Sequence, residues 1–287
     1  MKLARTKAEL RAELAPARRA GRSIGLVPTM GALHDGHLSL LAAARDRCDV
    51  VVMSLFVNPT QFGPGEDLDA YPRDEARDAE LAERAGVDLV YAPAAGEVYP
   101  PGFATAVEVS GGLVEVLDGD PGRRGSAHFR GVTTVVAKLL NAVGPDVAFF
   151  GQKDAQQAVV IRRMVRDLDF PVEVVVIPTV REGDGLALST RNASLGAPDR
   201  DRASALSRAL RAAERAVAGG ETSAAAALAA ARAELEAAGI EPEYLEARDA
   251  ETLAETQTFN GRPVLIAVAA RVGAARLIDN VLIGGNP

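Results

Sequence analysis

The stretch Gly25-Leu26-Val27-Pro28-Thr29-Met30-Gly31-Ala32-Leu33-His34-Asp35-Gly36-His37 decides how this chain reads. Ahead of it, Ser23 to Pro28 is a short apolar run bounded by turn residues. Behind it, Leu38 to Cys48 carries apolar residues at helical spacing. The stretch is therefore a strand, a turn and the start of a helix. Two of the chain's three histidines, His34 and His37, stand on that turn. Unpaired amides at a helix start and the positive end of its macrodipole favour an anion there, and Gly31 and Gly36 let backbone approach closely. The pattern reads as a phosphate site. Two plainer readings stand beside it: polar loop histidines, or a zinc trio completed by His128. No His, Cys or acidic cluster elsewhere has the spacing of a structural zinc site.

Working outward, Val50–Phe56, Leu89–Tyr91, Val147–Phe150 and Val172–Ile177 read as strands. Leu38–Arg47, Asp74–Ala85, Val132–Val143 and Gln156–Asp167 read as helices. Such alternation implies βαβ units and a mainly parallel sheet covered on both faces, with ligands at the carboxyl ends of the strands. After Pro178 the texture changes. A loop, Arg181 to Gly196, precedes two Ala-rich amphipathic helices, Pro198–Ala218 and Thr222–Ala238, split by Gly219-Gly220. Tyr244–Arg248, Pro263–Ala270 and Ala274–Leu282 then read as strands of a small sheet. The expected class is α/β: a Rossmann-like parallel sheet domain over residues 1–178 and a smaller α+β C-terminal domain over 179–287.

Composition narrows the function. A chain of 287 residues with net charge −7 and no long basic block lacks the electrostatic footprint of a nucleic-acid binder, so small partners are expected. Cys48, the one cysteine, allows no internal disulfide and reads as a buried structural residue. Residues 1–22 are charged without a hydrophobic signal region, and no apolar segment approaches the ~20 residues that cross a bilayer. A cytoplasmic protein with no membrane partner is expected. Lysine occurs only at Lys2, Lys7, Lys138 and Lys153, which draws attention to Lys153.

Four further segments follow predicted strands or sit at the domain junction. In Phe56–Phe62, Asn58 and Gln61 can orient a carboxylate or hydroxyl, or simply make an Asn-Pro turn. In His128–Gly131, Arg130 can grip an anion or solvate a helix end. In Phe149–Gln157, Lys153 can neutralise phosphate while Asp154 accepts from ribose hydroxyls or caps the helix. In Leu186–Asn192, Ser189, Thr190 and Arg191 lie in a Gly-flanked loop able to close over a triphosphate. No Gly-x-x-x-x-Gly-Lys-Ser/Thr loop, no Gly-x-Gly-x-x-Gly after the first strand and no Gly-x-Ser-x-Gly elbow occurs. What remains is a histidine-type nucleotide site.

The combination Pro28–His37, Phe56–Phe62, Asp69-Ala70-Tyr71-Pro72-Arg73, His128–Gly131, Gly151–Asp154 with Gln157, and Ser189–Arg191 resembles the pantothenate synthetases. These are the pantoate–β-alanine ligases of the cytidylyltransferase-like superfamily. The likeness runs over essentially the whole chain. His-x-Gly-His alone marks only the superfamily, whereas the set is specific. Family members often carry serine where Thr190 stands, and a hydroxyl is kept.

The resemblance implies ATP-dependent condensation of (R)-pantoate with β-alanine through a pantoyl adenylate, releasing AMP and pyrophosphate, with Mg2+ and as a homodimer. It implies an ATP site formed by Met30, Gly31, Ala32, Leu33, His34, Asp35, Gly36 and His37, with Gly151, Gln152, Lys153, Asp154, Val180, Leu188, Ser189, Thr190 and Arg191. His34, His37, Lys153 and Arg191 would serve catalysis, His37 as proton donor. Gln61 and Gln157 would hold pantoate, with Asn58 and Arg130 as further substrate contacts. Met30, Val132, Val135, Val136 and Phe150 can surround pantoate's paired methyls or be ordinary core, and Asp78 is a candidate magnesium neighbour. A nucleotidyltransferase and a non-catalytic nucleotide sensor are the competing functions. The Asn-Pro-x-Gln segment speaks against the first, and the intact His34, His37, Lys153 and Arg191 against the second.

Overall fold

The computed structural model describes residues 1–63, 68 and 71–284. Asp69 and Ala70 of the quoted motif lie outside the described residues. The quoted stretch forms β2 (Ile24–Thr29) and the entry to a helix, and β2 lies inside a parallel sheet. The other strands of that sheet are β1 (Lys2–Ala4), β3 (Val50–Leu55), β4 (Leu89–Tyr91), β5 (Val147–Gly151) and β6 (Glu173–Ile177). Their order is β1-β4-β3-β2-β5-β6, every pairing parallel. The order reverses at β2, which pairs with β3 on one side and β5 on the other, and a crevice opens beyond the strand ends there.

Strand alternation divides the core into two layers. Leu26, Val50 and Val52 face α1 (Lys7–Arg19), α5 (Gly125–Val143) and α6 (Ala155–Asp167), packing with Leu10, Val136 and Ile161. Val27, Val51 and Met53 face α2 (Asp35–Arg47) and α3 (Glu75–Arg84), packing with Leu41, Ala44 and Ala82. Cys48 is in that second layer, 4% exposed, and burial pushes its thiol up, as expected of a structural residue. A short α4 (Ala95–Val98) follows β4.

A second sheet, antiparallel in the order β7-β8-β9, comprises β7 (Pro242–Asp249), β8 (Val264–Val272) and β9 (Ala275–Ile283). One face packs on α8 (Ala205–Ala218) and α9 (Ala224–Ala237), with α7 (Ala197–Ala203) preceding them. The other face brings Tyr244, Leu265 and Ala267 against Leu117, Phe129 and Val160 of the first half. Polar groups reinforce the junction: Asp118 accepts from the Tyr244 hydroxyl at 3.0 Å and the Arg276 guanidinium at 2.8 Å.

Three elements differ from the sequence reading. Residues 1–22, read only for the absence of a signal region, supply β1 and α1, the latter opened by a Thr6–Glu9 capping box. The segment read as one helix, Pro198–Ala218, divides at Ser204, whose hydroxyl bonds the Asp201 carbonyl at 2.9 Å and so competes with the helical ladder. Finally, α5 begins at Gly125 rather than Val132, so His128 lies inside the helix instead of at its mouth.

Candidate active site

A cavity of about 270 Å³ lies at the carboxyl ends of β2, β3 and β5 and reaches under β9. His34 is the N-cap of α2 and its Nδ1 accepts from the Gly36 N–H at 3.1 Å. The His37 Nδ1 accepts from the His34 N–H at 3.3 Å. With both Nδ1 atoms occupied as acceptors, the neutral rings carry their protons on Nε2. The two rings lie 4.2 Å apart between centroids, and both line the cavity. Burial pushes the His37 pKa down to about 3, helped by the charges of His34 and Lys153, and His34 is lowered by burial and then by Lys153.

The turn is held from behind. Gly31 has φ +88°, and a Cβ there would meet Asp78 Oδ2 at 2.8 Å. Asp78 is buried and accepts from the Ala32 N–H at 2.9 Å and the Leu33 N–H at 2.8 Å. Its two oxygens hold the loop, and it does not line the cavity. The magnesium expectation for Asp78 is therefore corrected: the carboxylate is committed to backbone amides. Among the described residues no three His, Cys, Asp or Glu side chains are grouped to hold a metal, so the zinc trio has no support.

Opposite the imidazoles, β5 runs into a single 3-10 turn, Gln152–Asp154, that presents Lys153. Gln152 itself turns away, donating to Asn280 Oδ1 at 2.9 Å, while the Asn280 amide returns to the carbonyls of Gln152 at 2.9 Å and Lys153 at 3.0 Å. Asp154 occupies the N-cap of α6 without a side-chain cap bond, 3.8 Å from the Lys153 ammonium. Val180, Leu188, Ser189, Thr190 and Arg191 complete this end, Leu188 N–H bonding the Val180 carbonyl at 3.0 Å. Arg181, bidentate on buried Asp279 at 2.6 and 3.0 Å, anchors the loop's root.

At the other end Gln61 and Gln157 face the cavity together with Met30, Phe150, Val132, Val135 and Val136. Asn58 also lines it but is 1% exposed and fully engaged. Its amide donates to Gln61 Oε1 and the Gly131 carbonyl, both at 3.1 Å, and its oxygen accepts from the Tyr99 hydroxyl at 2.8 Å. Asn58 thus positions Gln61 while bordering the cavity in which the sequence reading expects a substrate contact. Close approach makes this possible: a Cβ on Gly131 would fall 2.3 Å from the Thr60 carbonyl oxygen.

His128 Nδ1 donates to the Gln61 carbonyl at 2.7 Å, leaving Nε2 to accept from Arg124 at 3.2 Å. Arg130 is exposed and does not line the cavity, so its reading as a substrate contact is corrected. Arg124 lines the cavity instead. Gly31, Ala32, Leu33, Asp35 and Gln152 likewise support the site from outside its lining, whereas Met30, Gly36 and Gly151 border it. Residues missed by sequence reasoning include Tyr244, Asp279 and Asn280 from the second sheet, and Ser54 and Thr179. The hydroxyls of Ser54 and Thr179 are buried without a partner among the described residues.

An open parallel sheet takes its ligand where strand order reverses, and the cavity lies there; the chain is an α/β enzyme of the Rossmann-like class. Comparison carries this to a particular family. The model described as "Pantoate-beta-alanine ligase" matches residues 2–282, and the chain belongs to that family. It is 56% identical to the pantothenate synthetase of Moorella thermoacetica, over all of both chains, and 53% identical to pantothenate synthetase 1 of Bradyrhizobium diazoefficiens, again over all of both. Among solved structures, the pantothenate synthetase of Thermus thermophilus superposes with TM-score 0.90 at 48% identity, covering 98% of this chain and 99% of that one. The pantoate-beta-alanine ligase of Francisella tularensis, complexed with beta-gamma ATP and beta-alanine, gives 0.81 at 31% identity over 100% and 99%.

Proposed function

We propose that this chain joins (R)-pantoate to β-alanine in an ATP-dependent reaction, through a pantoyl adenylate, releasing AMP and pyrophosphate. The observation that carries the reading is the His34–His37 pair with both Nδ1 atoms engaged by backbone amides, in a cavity shared with Lys153 and Arg191. Nε2–H donors suit charge developing on an α-phosphate, because they are held in place before the reaction begins. Family membership and the ATP and β-alanine in the Francisella tularensis homologue support the same substrates.

In the first step a pantoate carboxylate oxygen attacks the α-phosphorus and the bond to pyrophosphate breaks. The ammonium of Lys153 and the guanidinium of Arg191 offset charge on the phosphates, and Gln61 and Gln157 orient pantoate. In the second step the amine of β-alanine, after losing a proton, attacks the pantoyl carbonyl carbon and AMP departs. His37, whose pKa burial lowers to about 3, faces the phosphates with its Nε2–H, in the place where the family resemblance puts a proton donor.

Magnesium accompanies ATP in this reading. Asp78 does not fit as its ligand, since both oxygens hold backbone amides, so no step is assigned to a protein-bound ion. Residues 1–178 form the nucleotide and pantoate half, and 179–287 a lid-bearing half. A cytoplasmic homodimer is part of the proposal by family resemblance.

Pantoate labelled with heavy oxygen in its carboxylate tests the chemistry. Mass spectrometry is expected to find one label in AMP. Unlabelled AMP, ADP as product, or AMP retained in the organic product would reject the mechanism in favour of a hydrolase, kinase or nucleotidyltransferase.

A further inference from the structure

The loop that follows β6 borders the cavity twice, at Pro178–Val180 on the way out and at Leu188–Arg191 on the way back. Between these stretches the chain folds into a small hairpin. Arg181 and Ala187 form an antiparallel bridge, and the Glu182 N–H donates to the Leu186 carbonyl at 2.8 Å. One 3-10 turn, Thr190–Ser194, comes next and carries Arg191. Hydrogen-bond geometry inside such a turn is poor, so its orientation depends on ties from outside. Asn192 supplies two: its amide donates to Glu182 Oε1 at 2.8 Å and to the Ala187 carbonyl at 3.1 Å. Arg200 of α7 holds the other oxygen of Glu182 at 2.6 Å.

Asn192 does not line the cavity, whereas the adjacent Arg191 does. Arg191 is exposed, and its guanidinium pairs with no carboxylate among the described residues, so the direction in which it leaves the backbone decides what it reaches. The tie carries a penalty: Asn192 Oδ1 is buried with no hydrogen-bond partner among the described residues, which is destabilising. Stability alone does not account for an asparagine here. Nor do its close relatives serve, because aspartate would set a second carboxylate against Glu182 and a hydroxyl has one hydrogen for two acceptors.

We propose that Asn192 is a positioning residue: by tying the 3-10 turn to Glu182 and to the Ala187 carbonyl, it aims the Arg191 guanidinium at the phosphates of ATP. The inference rests on the proposed reaction, in which Arg191 offsets phosphate charge. With the tie in place the guanidinium is directed before ATP arrives, and less freedom is lost on binding. Without it the turn samples orientations that point Arg191 to solvent. The loss then falls on ATP, while pantoate, met by Gln61 and Gln157 at the other end of the cavity, is bound as before.

The test is a double-mutant cycle of Asn192→Ala with Arg191→Ala, read by single-turnover pyrophosphate release, by KM for ATP and for pantoate, and by thermal melting. Asn192→Ala is expected to lower kcat/KM for ATP about tenfold when Arg191 is present and less than about twofold when Arg191 is already alanine. KM for pantoate is expected to stay within about twofold throughout. Glu182→Ala removes the acceptor and leaves Asn192 in place; it is expected to show the same dependence on Arg191, and it decides the matter by itself if melting shows that Asn192→Ala does not fold. Equal losses with and without the Arg191 side chain would mean that the tie acts only on the fold and would overturn the proposal. A loss confined to pantoate, or none at all, would overturn it too. Failure of the ligase reading is read separately, as absence of labelled AMP from the wild type.

Discussion

Gln152 and Asn280 hold each other through their side-chain amides, Nε2 to Oδ1 at 2.9 Å, across 128 positions of sequence. The same Asn280 amide nitrogen also donates to the Gln152 and Lys153 carbonyls. A strand of the second sheet thereby fixes the backbone that carries the site's ammonium. Lys153 needs this because its own turn is a single 3-10 turn with poor internal hydrogen bonding.

Asn280→Ala is expected to slow adenylate formation about tenfold, since two carbonyls lose donors worth about 1 kcal/mol each and the Lys153 turn loosens. Single-turnover pyrophosphate release measures it. An unchanged rate would show that the turn holds its shape alone.

His37→Asn tests both chemistry and stability. Removing a preorganised donor is expected to lower kcat by ~10²-fold or more without lowering the melting temperature at neutral pH. The acid limb follows from linkage. The folded pKa of about 3 lies below the unfolded value of ~6.5, so the unfolded chain binds the extra proton between them. Stability tied to His37 is therefore complete above about pH 6.5 and falls towards pH 3, by up to about 1.4 kcal/mol per pH unit. Denaturant midpoints of wild type and variant are expected to coincide at neutral pH and to diverge as pH drops, the wild type falling with this slope relative to the variant. Parallel curves would refute the assignment.

Asp78→Ala is expected to cost about 3 kcal/mol or more of stability, because two backbone amides lose a charged acceptor. Activity should fall with it and should not return when magnesium is raised. Recovery at high magnesium would instead identify Asp78 as an ion ligand.

Arg130→Ala is expected to leave KM for each substrate and kcat within about twofold of wild type, consistent with an exposed surface position. A selective rise in one KM, measured by steady-state kinetics, would return Arg130 to the site.

The two histidines, Gln61, Lys153, Gln157 and Arg191 were legible because each stands in a short local pattern where a strand meets a turn or helix. Arg130 was misread for a geometric reason. With α5 starting at Gly125, His128 and Arg130 are two helical residues apart, about 200° around the axis, so they face opposite ways. Asn58 was legible as a residue of the cavity, whereas its bonds to Gly131 and Tyr99 were not, because a buried amide and a substrate-binding amide have the same sequence signature. Asn280, Asp279 and Tyr244 carried no local signal at all, since their part in the site arises from one sheet docking on the other. Ser54 was passed over as one polar residue in an apolar run.

The Gln152–Asn280 pairing also sets a clock on synthesis. Asn280 emerges from the ribosome 127 residues after Lys153, a delay of roughly 6–25 s at about 5–20 residues per second. By then all six strands of the parallel sheet have been made, the last ending at Ile177. A nascent chain can thus assemble its larger half while the lysine turn still lacks its brace, and the cavity gains its last lining residues only after the smaller half has been translated and docked.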